Sequence, residues 1–335
     1  MMGPAKTLER FIYSQERSHN RTTGELSDLL SAIVLGVKMI ARLVETAPFK
    51  GLYGSTGQIN VQGEETQILD READEILCSV LGSSGHFGLL VSEERDSVVA
   101  ADKESASKLA KKYVVAFDPL DGSSNLGSNI PVGTIFCIFK KKANSKSASA
   151  DDYLQSGRNI VAAGYAVYGS KTCFVYSAGD GVHSFLFDPG IGEFVLTEET
   201  TKMPEKGKIY SINEGQVLSW DPRVRSFIDK LKIEDKALGT PYSSRYVGSL
   251  VADFDRNLKK GGIYIYPAGK NYPNGKLRLL YECLPLAFIA EQAGGAAING
   301  PEAILDIVPS DIHQRSALII GSKFEVEWYR REVLG

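Results

Sequence analysis

The sequence predicts a mixed α/β protein of the α+β kind, with helices and sheets packed as layers. Three observations carry that expectation. Apolar residues recur at three- and four-residue spacing from Leu26 to Ile40 and from Leu69 to Leu81. Short apolar runs rich in β-branched and aromatic residues dominate from Phe87 to about residue 197, and helix-like and strand-like segments alternate thereafter. At roughly 100 to 200 residues per domain, 335 residues predict about two packed units.

The first helix follows Thr22-Thr23-Gly24-Glu25, which reads as a capping box. Leu26, Leu29, Leu30, Ile33, Val34, Val37 and Ile40 form its apolar stripe, and Pro48 marks its expected end. A second helix is predicted from Leu69, Ala73, Ile76, Leu77, Val80 and Leu81, with Gly82 as its stop, which places Asp70 and Asp74 on one face. Strand-like runs follow: FGLLV at 87–91, YVVAF at 113–117, then GTIFCIF, IVAAGYAVYG, KTCFVYS, VHSFLF and EFVLT. Residues 140–152, KKKANSKSASADD, read as a solvated loop. The polar, proline-containing segment 198–206 is the expected boundary, dividing residues 1–200 from 201–335. Beyond it helices are expected near 222–232, 249–259 and 279–293, with strands IYIYP at 263–267 and ALIIG at 317–321.

Lysine and arginine total 38 against 41 acidic residues, a net charge of −3. Nucleic-acid binders offset phosphates with a basic excess, so nucleic acid is not an expected partner. With 43 % apolar and 24 % charged residues, the composition is that of an ordinary soluble globular protein. No run approaches the roughly 18 apolar residues of a membrane span. The start MMGPAKTLER lacks the apolar core of a signal peptide, and Gly3 is misplaced for myristoylation, so a cytoplasmic setting without membrane contact is expected. Cys78, Cys137, Cys173 and Cys283 are widely spread with no CxxC pair and are expected to be reduced and mostly buried.

The chemistry concentrates where YVVAF empties into Asp118-Pro119-Leu120-Asp121-Gly122-Ser123-Ser124. Proline has no amide to donate, so the strand is expected to stop and turn there, presenting both aspartates at the carboxyl edge of the sheet. Gly122 permits tight backbone geometry, and the amides around Ser123 and Ser124 suit a phosphate-binding nest. FGLLV ends likewise in Ser92-Glu93-Glu94. If the two strands are neighbours, four carboxylates gather at one edge. Like charges that close call for a counter-cation, and an all-oxygen patch selects a hard one such as Mg²⁺ or Mn²⁺. Taken singly, a Glu-Glu pair is an ordinary solvated turn and Asp-Pro an ordinary turn opener; their joint placement points to a metal site. No GxxxxGK[ST], no GxGxxG after a strand, no HExxH and no GxSxG occurs, and His19, His86, His183 and His313 sit in unrelated contexts.

With these residues in place, the sequence resembles the class I fructose-1,6-bisphosphatase family, within the Mg²⁺-dependent, lithium-sensitive sugar and inositol phosphatase superfamily. The resemblance rests on Asp-Pro-Leu-Asp-Gly-Ser at 118–123, YSINEG at 210–215, RYVGSLVAD at 245–253, PNGKLRLLYEC at 273–283 and DIHQR at 311–315. It implies a five-layer αβαβα sugar phosphatase fold, with residues 1–200 as the allosteric unit and 201–335 as the sugar-phosphate unit. It also implies hydrolysis of the 1-phosphate of fructose 1,6-bisphosphate, with Mg²⁺ as cofactor, Mn²⁺ or Zn²⁺ as alternatives, and a homotetramer.

Carried over residue by residue, the resemblance makes Glu93, Asp118, Asp121 and Glu282 metal ligands, joined by the Leu120 carbonyl and by Glu64 as a further acidic position. Asp70 and Glu94 become the pair that orients and deprotonates the attacking water. Gly122, Ser123 and Ser124 face substrate; Asn213, Arg245, Tyr246, Tyr266, Lys276 and Arg278 take the sugar and second phosphate, Arg245 reaching into the neighbouring subunit. Gln216 stands where some members have tyrosine. Thr23, Gly24, Glu25, Leu26 and Ser27, with Lys112, Tyr113 and Lys140, match an AMP segment, Lys140 standing where many members have arginine. Those residues read alternatively as a capping box beside a solvated basic face. Two rivals share the acidic cluster: a phosphatase for sedoheptulose 1,7-bisphosphate or an inositol phosphate, and a catalytically silent sugar-phosphate or nucleotide sensor.

Overall fold

The computed structural model describes residues 6–18, 24–52, 54–59, 65–100, 112–142 and 149–335. Thr23 and Glu64 lie outside them. The first half of the chain forms α1 (Leu8–Ser18), α2 (Glu25–Lys50), β1 (Ser55–Ile59), β2 (Glu65–Gln67), α3 (Ile68–Ser84), β3 (Phe87–Ser92), β4 (Val99–Ala100), β5 (Tyr113–Asp121) and β6 (Val132–Lys140). It continues through α4 (Ala150–Tyr153), β7 (Ile160–Tyr168), β8 (Cys173–Ser177), β9 (Val182–Asp188) and β10 (Glu193–Thr201). The second half forms β11 (Ile209–Ser211), α5 (Pro222–Lys232), β12 (Ser243–Ser244), α6 (Leu250–Lys260), β13 (Ile263–Tyr266), β14 (Leu277–Arg278) and α7 (Leu284–Gln292). It closes with β15 (Ala296–Ile298), β16 (Arg315–Ser316), β17 (Leu318–Gly321) and α8 (Lys323–Tyr329).

Five layers follow from which faces these elements bury. An eight-stranded sheet, ordered β10-β9-β8-β7-β6-β5-β3-β4, is antiparallel except for the parallel β3–β5 pair. A five-stranded sheet is ordered β12-β11-β13-β17-β15. The apolar stripes of α1, α2 and α3 bury Phe11, Leu30, Val37 and Leu77 against Val115, Phe117 and Phe136 on the outer face of the large sheet. Its other face, with Val114, Ala116 and Cys137, packs on α6 and α7, which in turn cover Tyr264, Leu318 and Ile320 of the smaller sheet. The far face of that sheet, Ile263, Ile265 and Ile319, is closed by α5 and α8. Helices, sheet, helices, sheet and helices therefore alternate, and β5 is buried along its whole length. No described helix is long and apolar enough to cross a membrane.

Several local expectations are corrected. Helix α2 continues through Pro48 to Lys50, where Gly51 takes a left-handed φ of 66°; Pro48 has no amide for the carbonyl four residues back, so the helix forgoes one bond there yet runs two residues further. Its N-cap is Gly24, with no side-chain cap. The capping box lies instead at α3, between Gln67 and Asp70. Helix α3 passes Gly82 and ends at Gly85, because Gly85 adopts the left-handed φ of 70° that terminates a helix. The 140–152 segment is not wholly a loop: it contains α4, whose Asp152 is buried. Strand β10 runs four residues into the polar segment expected to start at 198. The short α1 was not expected, since among its described side chains only Leu8, Phe11 and Ile12 enter the core. Lastly, β5 does not stop at Pro119 but runs to Asp121.

Candidate active site

The run through Pro119 is what brings the aspartates together. Along β5 and β6, Asp118 pairs with Ile135 and Asp121 with Gly133, so three steps on one strand match two on the other. The extra residue is a bulge. In an even strand, residues three apart face opposite ways. Here Phe117 and Leu120 both enter the outer core, while Asp118 and Asp121 turn together toward the middle layer. The bulge is braced by Thr134, whose hydroxyl donates to the Pro119 carbonyl at 2.8 Å, and by the Leu120 amide, which donates to Asp118 Oδ1 at 2.9 Å. Opposite Asp121, a Cβ on Gly133 would lie 2.0 Å from the Ala166 carbonyl oxygen and 2.8 Å from Val251 Cγ1, so α6 can approach only over glycine.

Because β3 and β5 are parallel, with Ser92 opposite Phe117, the acidic turn after β3 reaches the same end of the sheet. The Val251 amide at the start of α6 donates to Asp121 Oδ2 at 2.8 Å, and the Ser249 hydroxyl lies 3.4 Å from the same oxygen. Glu282 comes from a π-helical turn, Leu279–Cys283, that leads into α7, and its carboxylate accepts the Arg278 amide. Asp118, Asp121 and Glu282 are buried and offer oxygens within 4.8 Å of one another. Glu93 stands beside them, 3.1 Å from the Arg278 guanidinium.

Four acids around one guanidinium are under-neutralised. Burial raises the Asp118 carboxyl well above its ordinary range, with Glu93, Asp121 and Glu282 adding to it. Burial also raises Asp121 and Glu282, the Val251 amide and Arg278 opposing it respectively. Such groups either take protons or surround a cation. With only hard oxygen donors, the set fits a divalent ion of the Mg²⁺ type. Glu94 is pushed up to about 8, first by burial and then by Asp70, Glu93 and Asp74. Asp70, third residue of α3, accepts the Gln67 amide at 3.0 Å.

These residues wall a cleft of about 480 Å³ between the two halves of the chain. Asp70, Glu93, Glu94, Asp118, Leu120, Asp121, Gly122, Ser123 and Ser124 reach it from the first half, and Tyr246, Tyr266, Lys276, Arg278 and Glu282 from the second. Gly122 holds a φ of 79°, and a Cβ there would meet Ser249 Oγ at 2.8 Å. Arg278 is buried against Glu93 at the floor. Asn213 and Gln216 line a smaller adjoining pocket that shares Tyr266 with the cleft. Arg245 does not line the cleft; its exposed guanidinium donates to the Ser244 carbonyl at 2.9 Å. Tyr264, Tyr272 and Gln67 also line the cleft and were not anticipated. Alternation along β13 places Tyr264 on the face of Tyr266, whereas nothing local marks Tyr272.

A second cluster sits at the other end of β5. Glu25, Leu26 and Ser27 are buried behind Gly24 at the start of α2. Lys112 Nζ lies 3.0 and 2.9 Å from the two Glu25 oxygens, and Tyr113 pairs with Lys140 across β5 and β6.

Against known proteins, the profile described as fructose-1-6-bisphosphatase, N-terminal domain, matches residues 6–199, and that of the C-terminal domain matches residues 203–332. The chain belongs to the fructose-1,6-bisphosphatase family. It is 48 % identical over 321 residues to the class 1 fructose-1,6-bisphosphatase of Chlorobium chlorochromatii, covering 96 % of this chain and 95 % of the relative. It is 47 % identical over 327 residues to that of Chloroherpeton thalassium, covering 97 % and 93 %. A crystal structure of the Leishmania major fructose-1,6-bisphosphatase in holo form superimposes with a TM-score of 0.91 at 37 % identity, covering 98 % of this chain and 99 % of that one. As a fructose-1,6-bisphosphatase family member the chain is a phosphatase of a metal-dependent family, and its layers are those of the sugar phosphatase fold.

Proposed function

We propose that the chain hydrolyses the 1-phosphate of fructose 1,6-bisphosphate, giving fructose 6-phosphate and phosphate. The observation that carries this is one cleft with a buried carboxylate wall on one side and Lys276, Tyr246 and Tyr266 on the other. Glu93, Asp118, Asp121, Glu282 and the Leu120 carbonyl are assigned to Mg²⁺, with Mn²⁺ or Zn²⁺ as alternatives and Glu64 as a further ligand. When bound, the cation supplies positive charge to the phosphoryl oxygens.

The chain's own residues do the rest. The Gly122, Ser123 and Ser124 segment offers amides and hydroxyls to the reacting phosphate. Glu94, with its raised proton affinity, accepts a proton from the attacking water, and Asp70 orients that water. The water oxygen bonds to phosphorus as the bond to the sugar oxygen breaks. Lys276 and Arg278 are assigned to substrate phosphates and Tyr246, Tyr266 and Asn213 to the sugar and second phosphate. The exposed Arg245 supports its assignment to a neighbouring subunit's site in a homotetramer. The Gly24–Ser27 segment, Thr23, Lys112, Tyr113 and Lys140 are assigned to AMP, supported by the contact of Lys112 with Glu25 at the start of α2, where free amides favour a phosphate. Lys112 must exchange Glu25 for that phosphate. Residues 1–200 and 201–335 are taken as the effector-binding and sugar-phosphate units.

The decisive assay is phosphate release from fructose 1,6-bisphosphate with Mg²⁺, with chelator, and with Mg²⁺ plus AMP. Turnover that vanishes on chelation is expected. Undiminished turnover in chelator, or a higher kcat/KM on sedoheptulose 1,7-bisphosphate or inositol phosphate, would replace this reading.

A further inference from the structure

The acidic turn Ser92-Glu93-Glu94-Arg95 is fastened by several separate elements. Locally, the Glu94 amide donates to Ser92 Oγ at 3.3 Å and the Arg95 amide to the Ser92 carbonyl at 3.4 Å. The Glu93 amide donates to the Phe117 carbonyl on β5 at 3.2 Å. Arg95 then reaches away from the cleft to α3: its Nε and Nη2 lie 2.8 and 2.7 Å from Asp74 Oδ2. Asp74 is buried, its side chain 4 % exposed. On the other side, His313 Nε2 lies 3.1 Å from the Arg95 carbonyl, and its Nδ1 lies 2.8 Å from the hydroxyl of Tyr281, the neighbour of Glu282. Arg95, Asp74 and His313 do not line the cleft.

We propose that Arg95, held by Asp74, is a positioning residue that sets where the Glu94 carboxylate lies relative to Asp70. Asp74 follows Asp70 by one turn of the same helix. Anchoring Arg95 there ties the turn bearing Glu94 to the helix bearing Asp70, so the spacing of the two carboxylates is set by a rigid element rather than by the loop. An exposed ion pair would add little; this one has a buried acceptor and two N–H groups on a single oxygen, a geometry that a lysine ammonium does not reproduce. The inference rests on the assignment of Asp70 and Glu94 to water activation.

The test compares Arg95→Met, the double variant Asp74→Asn/Arg95→Met, Arg95→Lys and Glu94→Gln by steady-state kinetics and thermal melting. The double variant removes the stranded buried charge and so recovers most of the melting temperature lost by Arg95→Met. Its kcat stays down by about tenfold or more, since small misplacements of a catalytic group carry penalties of that order, while KM for fructose 1,6-bisphosphate stays within about twofold. Arg95→Lys recovers part of kcat. If the double variant turns over at the parental rate while Glu94→Gln is inactive, positioning by Arg95 is wrong and the role of Glu94 stands. If Glu94→Gln itself keeps parental kcat, the underlying assignment fails instead.

Discussion

Asp118, Asp121, Glu282 and Glu94 all have carboxyls whose proton affinity is raised by burial, so in the metal-free protein these four contribute stability that is lost as pH rises. The unfolded chain releases these protons near pH 4, whereas the folded chain holds them to higher pH, Asp121 to about 7 and Glu282 and Glu94 to about 8, with Asp118 raised in the same direction. The native state therefore binds more protons across that window, and its stability falls as pH rises through it. A cation held among these carboxylates would replace the protons. We expect the rise in melting temperature on adding Mg²⁺ to chelator-treated protein to be larger at pH 8 than at pH 5; equal rises would contradict the linkage. Lys276, which lines the cleft, is assigned to substrate binding: Lys276→Ala should raise KM about tenfold with little change in kcat, the scale of one charge-assisted hydrogen bond. Steady-state kinetics decide it, and an unchanged KM would remove Lys276 from the site. Glu93, Glu94, Asp118 and Asp121 were legible in the sequence because they follow apolar strand-like runs, and Asp70 because it opens a helix, whereas Glu282 was named only through the family resemblance. The place of Arg278 at the floor beside Glu93, and the Asp74–Arg95 clamp, were not, because both depend on which distant segments meet.

Helix α6 supports the site from behind. Its first turn gives the Val251 amide to Asp121, and its Asp253 accepts the Val247 and Gly248 amides at 3.0 and 3.2 Å, holding the segment that carries Tyr246. Asp253 is fully buried and is matched by Arg256 at 2.7 Å; Arg256 also donates to Ser211 Oγ at 2.6 Å. Arg256→Met should strand that carboxylate, at a cost of about 3 kcal/mol, lowering the melting temperature by roughly 5 °C. Calorimetry that shows no change would mean the pair is already dispensable. At this scale periodicity located most helices and strands within a few residues, because burial of one face repeats at a fixed spacing. It failed where a residue's local habit was overruled: Pro119 was read as a strand stop, yet its carbonyl is used by Thr134 and the ladder resumes beyond it.

Across the whole molecule, β5 joins the two clusters. Lys112 and Tyr113 stand at its start and Asp118 and Asp121 toward its end, Asp121 roughly 25 Å from Tyr113 at the usual rise per residue. Lys112→Ala should weaken any AMP inhibition at least tenfold in half-inhibitory concentration while leaving uninhibited kcat near parental; AMP titration of both proteins checks it, and an unchanged inhibition curve would place the effector elsewhere. The layered order of the two sheets was legible only through family resemblance, since no local pattern says that β10 and β4 are the outer strands of one sheet or that β17 lies between β13 and β15. The inward bend of both aspartates has a consequence of its own. What aligns the pair is the one residue by which β5 exceeds β6 between ladder partners, so a residue inserted beside Thr134 in β6 would match three steps with three and send one carboxylate to the outer helices, although every side chain on β5 kept its identity. The reactive wall is thus written in chain length as much as in residue type.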